Sequence, residues 1–202
     1  MSLEIRSVVP KFEDNYDVGW IGFQFTDNSF VSNGIAWFER WDRLGDIRVS
    51  HCFVVSGYNK CIEALAHGVT ESTLEERFAD PHVHVFFRVP LTWDQKLGES
   101  IVASAREHLG HKYGYALIVA HFLASTLIGR LVNKLTGGWP NRLMTRICNG
   151  RLSEICSELM ALAMQAQPRL STLGCLARPA REVRPQVLFE DGLVFQPWKK
   201  SV

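Results

Sequence analysis

The chain has 202 residues, of which 22 are Lys or Arg and 21 are Asp or Glu, so its net charge is +1. This length predicts one compact domain, and the balanced charge provides no field that would attract nucleic acid or another polyanion. A content of 47% hydrophobic and 21% charged residues is ordinary for a globular protein and excludes a disordered or fibrous one. We therefore expect a self-folding globular domain with no nucleic-acid partner.

The cysteines and the N-terminal residues indicate the compartment. An odd number of cysteines without a CxxC pair predicts reduced thiols rather than disulfides or a zinc site; the five are Cys52, Cys61, Cys148, Cys156 and Cys175. The first residues, MSLEIRSVVPKFEDNYD, lack the basic and then apolar stretches of an export signal. We expect a protein that is cytoplasmic as synthesised, that needs no metal or other cofactor, and that would act in the periplasm only after non-classical delivery.

Strand patterns dominate the first half of the chain. Residues 19–25 (GWIGFQF) predict a strand, and residues 29–41 a short helix. Two apolar runs, residues 50–55 and 61–65, flank the segment SGYNK, whose glycine and asparagine predict a hairpin loop. In residues 83–89 the apolar side chains alternate, which predicts a strand with one face on the core.

Helix patterns dominate the second half. Thr92 and Gln95 match a capping box and predict a helix that runs to Leu109 and stops at Gly110. The uncharged run at residues 115–129 is shorter than the roughly 20 residues that a membrane-spanning helix needs. The pattern favours a buried helix there and leaves membrane contact as the minor alternative.

The last third of the chain contains the third helix pattern and two segments without one. Ser153 is a good N-cap for a helix that would end at Gln167. Residues 168–185 contain three prolines and predict an irregular loop. The pair Asp191-Gly192, between two short apolar runs, predicts a type I′ hairpin.

Cys156 is the candidate nucleophile. It falls in the first turns of the predicted helix at 153–167, where the helix dipole lowers the pKa of a thiol, as a nearby imidazolium would also do. The competing interpretation is a small buried core residue, because free cysteine is among the residues most often buried. Composition alone favours that second interpretation.

Among the seven histidines, strand geometry favours His51 as the base. With an odd number of loop residues, His51 and Glu63 lie diagonally on one face of the predicted hairpin, where the carboxylate could orient the imidazole. An even loop would separate the two side chains, and Glu63 would then be an exposed strand residue. His82 and His84 form an HxH pair, for which a polar strand face is favoured over a metal site.

Four motifs together resemble a known family. SHCFVV at residues 50–55, IEALAHGV at 62–69, LGHKYG at 109–114 and CSELMALA at 156–163 resemble, in this order, the permuted NlpC-like hydrolases of the YiiX-like group. The resemblance implies an α+β, papain-like fold, circularly permuted from the NlpC type, in which an antiparallel sheet packs against helices. It also implies that residues 1–202 form a single domain with a helical insertion at about residues 115–150.

The same resemblance implies the reaction and its residues. Cys156 would be the nucleophile, His51 the base, Glu63 the residue that orients His51, and Tyr113 a residue that holds the substrate or the oxyanion. The implied activity is that of a cysteine peptidase or amidase acting on amides in peptidoglycan-type peptides, for instance as an antibacterial effector. The first alternative is a lipid-directed thiol acyltransferase or amidase that uses the apolar run at residues 115–129. The second is a binding module that has the fold without catalytic turnover.

Overall fold

The sheet of this α+β protein has six strands. A computed structural model describes residues 3–4, 9–29, 32–33, 36, 44–65, 67–111 and 156–197. The strands within these ranges are β1 (Leu3–Glu4), β2 (Ile21–Thr26), β3 (His51–Gly57), β4 (Lys60–Leu65), β5 (Gly68–Thr73) and β6 (Val83–Arg88). Their order in the sheet is β1-β6-β2-β3-β4-β5, and each neighbouring pair is antiparallel.

Four helices accompany the sheet in the described ranges. They are α1 (Glu75–Ala79), α2 (Gln95–Arg106), α3 (Cys156–Gln165) and α4 (Pro185–Glu190). Helices α2 and α3 pack on each other and on strands β3 and β4. The predicted irregular segment at residues 168–185 contains two short 3-10 turns, Gly174–Ala177 and Ala180–Glu182. Over the ranges described, no helix combines the length and the apolar character needed to cross a bilayer.

Each face of the sheet carries its own apolar cluster, because successive strand residues point to opposite faces. The face covered by α3 includes Phe23, which lies opposite Cys52 in the register of β2 and β3. The other face includes Phe53, which lies opposite Gly22 and belongs to the second cluster. Adjacent residues of β3 therefore contribute to two different cores.

The strands predicted at residues 19–25 and 83–89 are confirmed as β2 and β6, and the predicted hairpin is confirmed as β3 and β4. The one-sided burial predicted for residues 83–89 is wrong. In β6, Phe86 packs in the cluster under α3, whereas Val85 and Phe87 pack in the cluster on the other face. Both faces of this strand are covered because the cluster under α3 packs on one face and the second cluster, which includes Phe78 of α1, packs on the other. Alternation in the sequence could not reveal that the second face is also buried.

The predicted boundaries of α2 are also wrong. The N-cap is Asp94 rather than Thr92, and its side chain accepts a hydrogen bond of 2.7 Å from the backbone N–H of Leu97. The carboxylate of Asp94 thus satisfies an N–H group of the first helical turn. That turn begins two residues later than the Thr92 pattern predicts. The helix ends at Arg106, before Leu109, and Gly110 follows it with a φ of +83°.

The hairpin predicted at Asp191-Gly192 is absent from the described C-terminal residues, and the preceding run is helix α4. Pro185 is the first residue of α4, a position at which the missing N–H costs nothing. The carboxylate of Asp191 accepts hydrogen bonds from the backbone N–H groups of Cys175, at 2.5 Å, and Leu193, at 2.8 Å. These contacts hold Asp191 in a local turn, so its pairing with glycine does not produce two strands.

Several expectations fall on residues that the structure does not describe. The helical insertion at about residues 115–150 and the N-cap Ser153 lie outside the described ranges. Of the helix predicted at residues 29–41, only residues 29, 32, 33 and 36 are described. The helix with Cys156 is confirmed from that residue to Gln165, two residues short of the predicted end.

The contact between Gly22 and Phe53 predicts a sensitive position in the sheet. A Cβ atom at Gly22 would overlap the Phe53 ring, which is fully buried and cannot move aside. We expect Gly22→Ala to lower the free energy of unfolding by about 1–3 kcal/mol, as overpacking a core does, measured by urea denaturation. Gly57→Ala is the matched control, because a Cβ there meets no atom within 4 Å. Equal stability of the two variants would contradict the close packing of Phe53 on Gly22.

Candidate active site

The β3–β4 hairpin contains a bulge that sets its register. Phe53 lies opposite Glu63, but Gly57 lies opposite Lys60, so the register shifts by one residue across Ser56. The loop itself has only two residues outside the strands, numbers 58 and 59. A bulge of this kind inserts one unpaired residue and changes which side chains share a face.

The bulge places the candidate carboxylate on the face of the candidate base. With the register of the hairpin end continued along both strands, Glu63 would lie opposite Val54 and point toward the face covered by α3. The additional residue at Ser56 instead pairs Glu63 with Phe53, so Glu63 is the diagonal neighbour of His51 on a common face. The predicted arrangement of His51 and Glu63 is therefore confirmed.

Glu63 is a fully buried carboxylate with a different partner on each oxygen. Its Oε2 lies 2.7 Å from Nε2 of His51, and its Oε1 accepts a hydrogen bond from Nη2 of Arg77. Burial would raise the pKa of Glu63, but the hydrogen bond from His51, the charges of His51 and Arg77, and the Ser72 hydroxyl together lower this pKa to about 2. Glu63 is thus ionised at neutral pH despite having no exposure to solvent.

His51 connects Glu63 to the thiol of Cys156. Because Nε2 of His51 is used by Glu63, the hydrogen bond between His51 and Cys156 involves the other ring nitrogen, Nδ1. Burial opposes the charged ring, but the negative charge and hydrogen bond of Cys156, together with Glu63, raise the pKa of His51 to about 9. The histidine is therefore an imidazolium at neutral pH.

The pKa of the Cys156 thiol is strongly lowered. A hydrogen bond from the Cys52 thiol lowers its pKa, and the charge and hydrogen bond of His51 and the backbone of Cys52 lower it further, against the effect of burial. The pKa of Cys156 consequently lies well below that of an ordinary thiol. Cys156 is 3% exposed and belongs to the core cluster under α3. Its pKa is therefore lowered although the residue is buried.

The other described cysteines with resolved pKa shifts differ sharply. Burial, aided by nearby carboxylates, raises the pKa of Cys61 and of Cys175 to about 12. Both are therefore neutral thiols at neutral pH. The four described cysteines form no disulfide with one another. Burial alone produces an inert thiol in this protein, and the contact with His51 and Cys52 distinguishes Cys156.

Of the remaining candidates, the HxH pair of His82 and His84 has other partners. Tyr113 lies outside the described residues. Nε2 of His84 pairs with Oδ2 of Asp27 at 2.8 Å, and the backbone N–H of His82 donates to Asp80. The described ranges hold no group of three or more His, Cys, Asp or Glu side chains placed to bind a metal ion.

Three contributors were not identified from the sequence: Arg77, Ser72 and Cys52. Arg77 lies on α1, a helix of five residues without a recognisable motif, so only the folded chain reveals that it reaches Glu63. Cys52 had a detectable signal, because it follows His51 in a strand and must point to the opposite face. That face is the one on which α3 packs.

The described arrangement supplies the parts required for acyl transfer by a thiol. It contains a cysteine whose pKa is strongly lowered, an imidazolium that can donate a proton, and a carboxylate that holds the imidazolium. Comparisons of the chain with protein-family models, with curated proteins and with solved structures give no significant match. Function is therefore inferred from the geometry of the site.

The contacts of His51 predict its titration. Its ring should titrate at about pH 9 in the wild-type protein, measured by NMR. Cys156→Ala removes the negative partner on one nitrogen and Glu63→Gln removes the one on the other, so each substitution should lower the pKa of His51. The ring signals of His84, which pairs with Asp27, serve as the control and should be unaffected. A His51 signal that does not respond to Cys156→Ala would disprove the ion pair.

Proposed function

We propose that this protein is a cysteine hydrolase, a peptidase or amidase, with Cys156 as nucleophile and His51 as acid and base. The observation that carries the proposal is the continuous hydrogen-bonded chain from Cys156 through His51 to the buried carboxylate of Glu63. A structural cysteine in an apolar core needs no such chain. The neutral thiols of Cys61 and Cys175 illustrate the difference.

The reaction follows from the charges of the resting site. The Cys156 thiolate attacks the carbonyl carbon of an amide, forming a C–S bond, and His51 transfers its proton to the leaving nitrogen as the C–N bond breaks. Water then attacks the thioester while the neutral His51 takes one of its protons. Release of the acid restores the thiolate and imidazolium. Glu63 holds the ring in one orientation during both proton transfers.

The proposed fold is papain-like, circularly permuted from the NlpC type. Two features support it: an antiparallel sheet packs on the helix that carries Cys156, and the strand with His51 precedes that helix in the chain. By the same resemblance, Tyr113 would assist in holding the substrate or the oxyanion. The proposed substrates are peptidoglycan-type peptides, and the proposed biological role is that of an antibacterial effector.

Thiol alkylation tests the nucleophile directly. We expect iodoacetamide to modify the wild-type protein at one fast site, with an apparent pKa well below 8.5, the usual value for a free cysteine, measured by intact mass across a pH series. Cys156→Ala should abolish the fast site. His51→Ala should raise its apparent pKa, because the thiolate loses its cationic partner.

Cys175→Ala is the matched control for this experiment. Cys175 is another buried thiol, but burial raises its pKa to about 12, so its removal should leave the fast reaction unchanged. Slow labelling spread over several cysteines in the wild-type protein would contradict the proposal. The fold would then be better explained as a binding module.

Hydrolysis of peptides tests the reaction itself. Incubation with a panel of peptidoglycan-type peptides should release a new carboxylate and amine, detected by mass spectrometry. We expect His51→Ala to lower kcat/KM by roughly 10²–10⁴-fold, the usual contribution of a general acid or base. A fast-reacting Cys156 with no cleavage of any peptide in the panel would disprove this substrate class while leaving the activated thiol in place.

A further inference from the structure

Arg77 completes the polar chain behind Cys156 and His51. Its guanidinium carbon lies 4.8 Å from the centroid of the Phe53 ring, and its Nη1 lies 3.7 Å from Sγ of Cys61. Its Nη2 donates to the Oε1 of Glu63. The side chain is 15% exposed, so an aromatic face, a sulfur and a carboxylate fix this cation in a mostly buried position.

The two oxygens of Glu63 contact two different cations. Oε2 faces His51 and Oε1 faces Arg77. This division restricts rotation of the carboxylate, because a partial rotation about its last bond would move both oxygens away from their partners at once. The direction in which Glu63 accepts from His51 is therefore set partly by Arg77.

The need for a second cation follows from the proton transfers. When His51 gives its proton to a leaving group, it becomes neutral. Without Arg77, Glu63 would then be a fully buried carboxylate with no compensating charge. An uncompensated buried charge is strongly unfavourable and tends to take up a proton. A guanidinium does not release its proton at any working pH, so the positive charge beside Glu63 persists through the whole cycle.

We propose that Arg77 is a positioning residue that keeps Glu63 charged and directed at His51 while His51 gains and loses its proton. This inference rests on the proposed function, since it assigns Arg77 a part in the same reaction. Arg77 itself contacts neither the thiol of Cys156 nor, in the proposed mechanism, the substrate. It acts through Glu63.

The test measures the pH dependence of Cys156 alkylation in Arg77→Met. Removing the cation weakens the hold of Glu63 on His51 and leaves the thiolate in a less positive environment, so the acid limb of the rate profile should move to higher pH. We expect the alkylation rate at a fixed pH on the acid limb to fall by roughly threefold or more, which corresponds to a shift of the limb by about half a pH unit. Arg77→Lys, which retains the charge but not the planar fork, should restore part of the rate.

Controls separate this effect from a loss of structure. Arg169→Met removes another arginine that pairs with a carboxylate, Asp94 at 2.7 Å, on the exposed surface, and its profile should match that of the wild type. Thermal unfolding establishes that each variant is folded. If Arg77→Met does not fold, Arg77→Gln, which keeps a hydrogen-bond donor without the charge, carries the same expectation.

The outcomes distinguish the two proposals. A wild-type protein without a fast site would disprove the cysteine hydrolase, and the role of Arg77 with it. In another outcome, the wild type has a fast site, but the acid limb of its alkylation profile is unchanged in folded Arg77→Met or Arg77→Gln. That result would overturn only the role of Arg77. An equal loss of rate at every pH, with the limb unmoved, would also overturn it, because a purely structural defect has that signature.

Discussion

The buried carboxylate of Glu63 is the constraint on which the arrangement of the site depends. A charged group with no exposure to solvent must recover its lost hydration from nearby donors. The donors come from three separate elements: His51 from β3, Ser72 from β5 and Arg77 from α1. Satisfying this one side chain thus constrains the positions of β3, β5 and α1 relative to β4, the strand that carries Glu63.

Because Glu63 holds His51, it also limits where the nucleophile Cys156 can lie. Adjacent residues of a strand point to opposite faces, yet the Cys156 side chain hydrogen-bonds to both His51 and Cys52. His51 is the first residue of β3, so its ring can reach around the end of the sheet toward α3. The thiol of Cys156 therefore contacts Cys52 on the face that α3 covers and His51 at the end of the strand. The surrounding core keeps water from competing with either contact.

The site was more predictable from the sequence than its surroundings, for physical reasons. The hairpin pattern predicts that Glu63 lies beside His51, although the bulge at Ser56, which the pattern does not reveal, sets the register that brings the two together. The helix that carries Cys156 follows from its own composition. Arg77 could not be predicted, since a solitary cation on a short helix has meaning only after long-range folding. The errors at Thr92 and Asp191 share one cause: each residue matches a local motif, but competing hydrogen bonds involving neighbouring groups determined the actual structure.

The turn between β3 and β4 can change in length without separating Glu63 from His51. Five residues separate Val55 from Cys61, and Ser56 is the additional residue of the bulge. Deleting Ser56 would leave Gly57 opposite Lys60 and Val55 opposite Cys61, so Glu63 would still lie on the face of His51. Retaining Ser56 while the pairing of Gly57 with Lys60 is extended along both strands would instead turn the carboxylate into the opposite core. The pairing of the two strands, and not the number of residues in the turn, therefore decides whether the acid reaches the base.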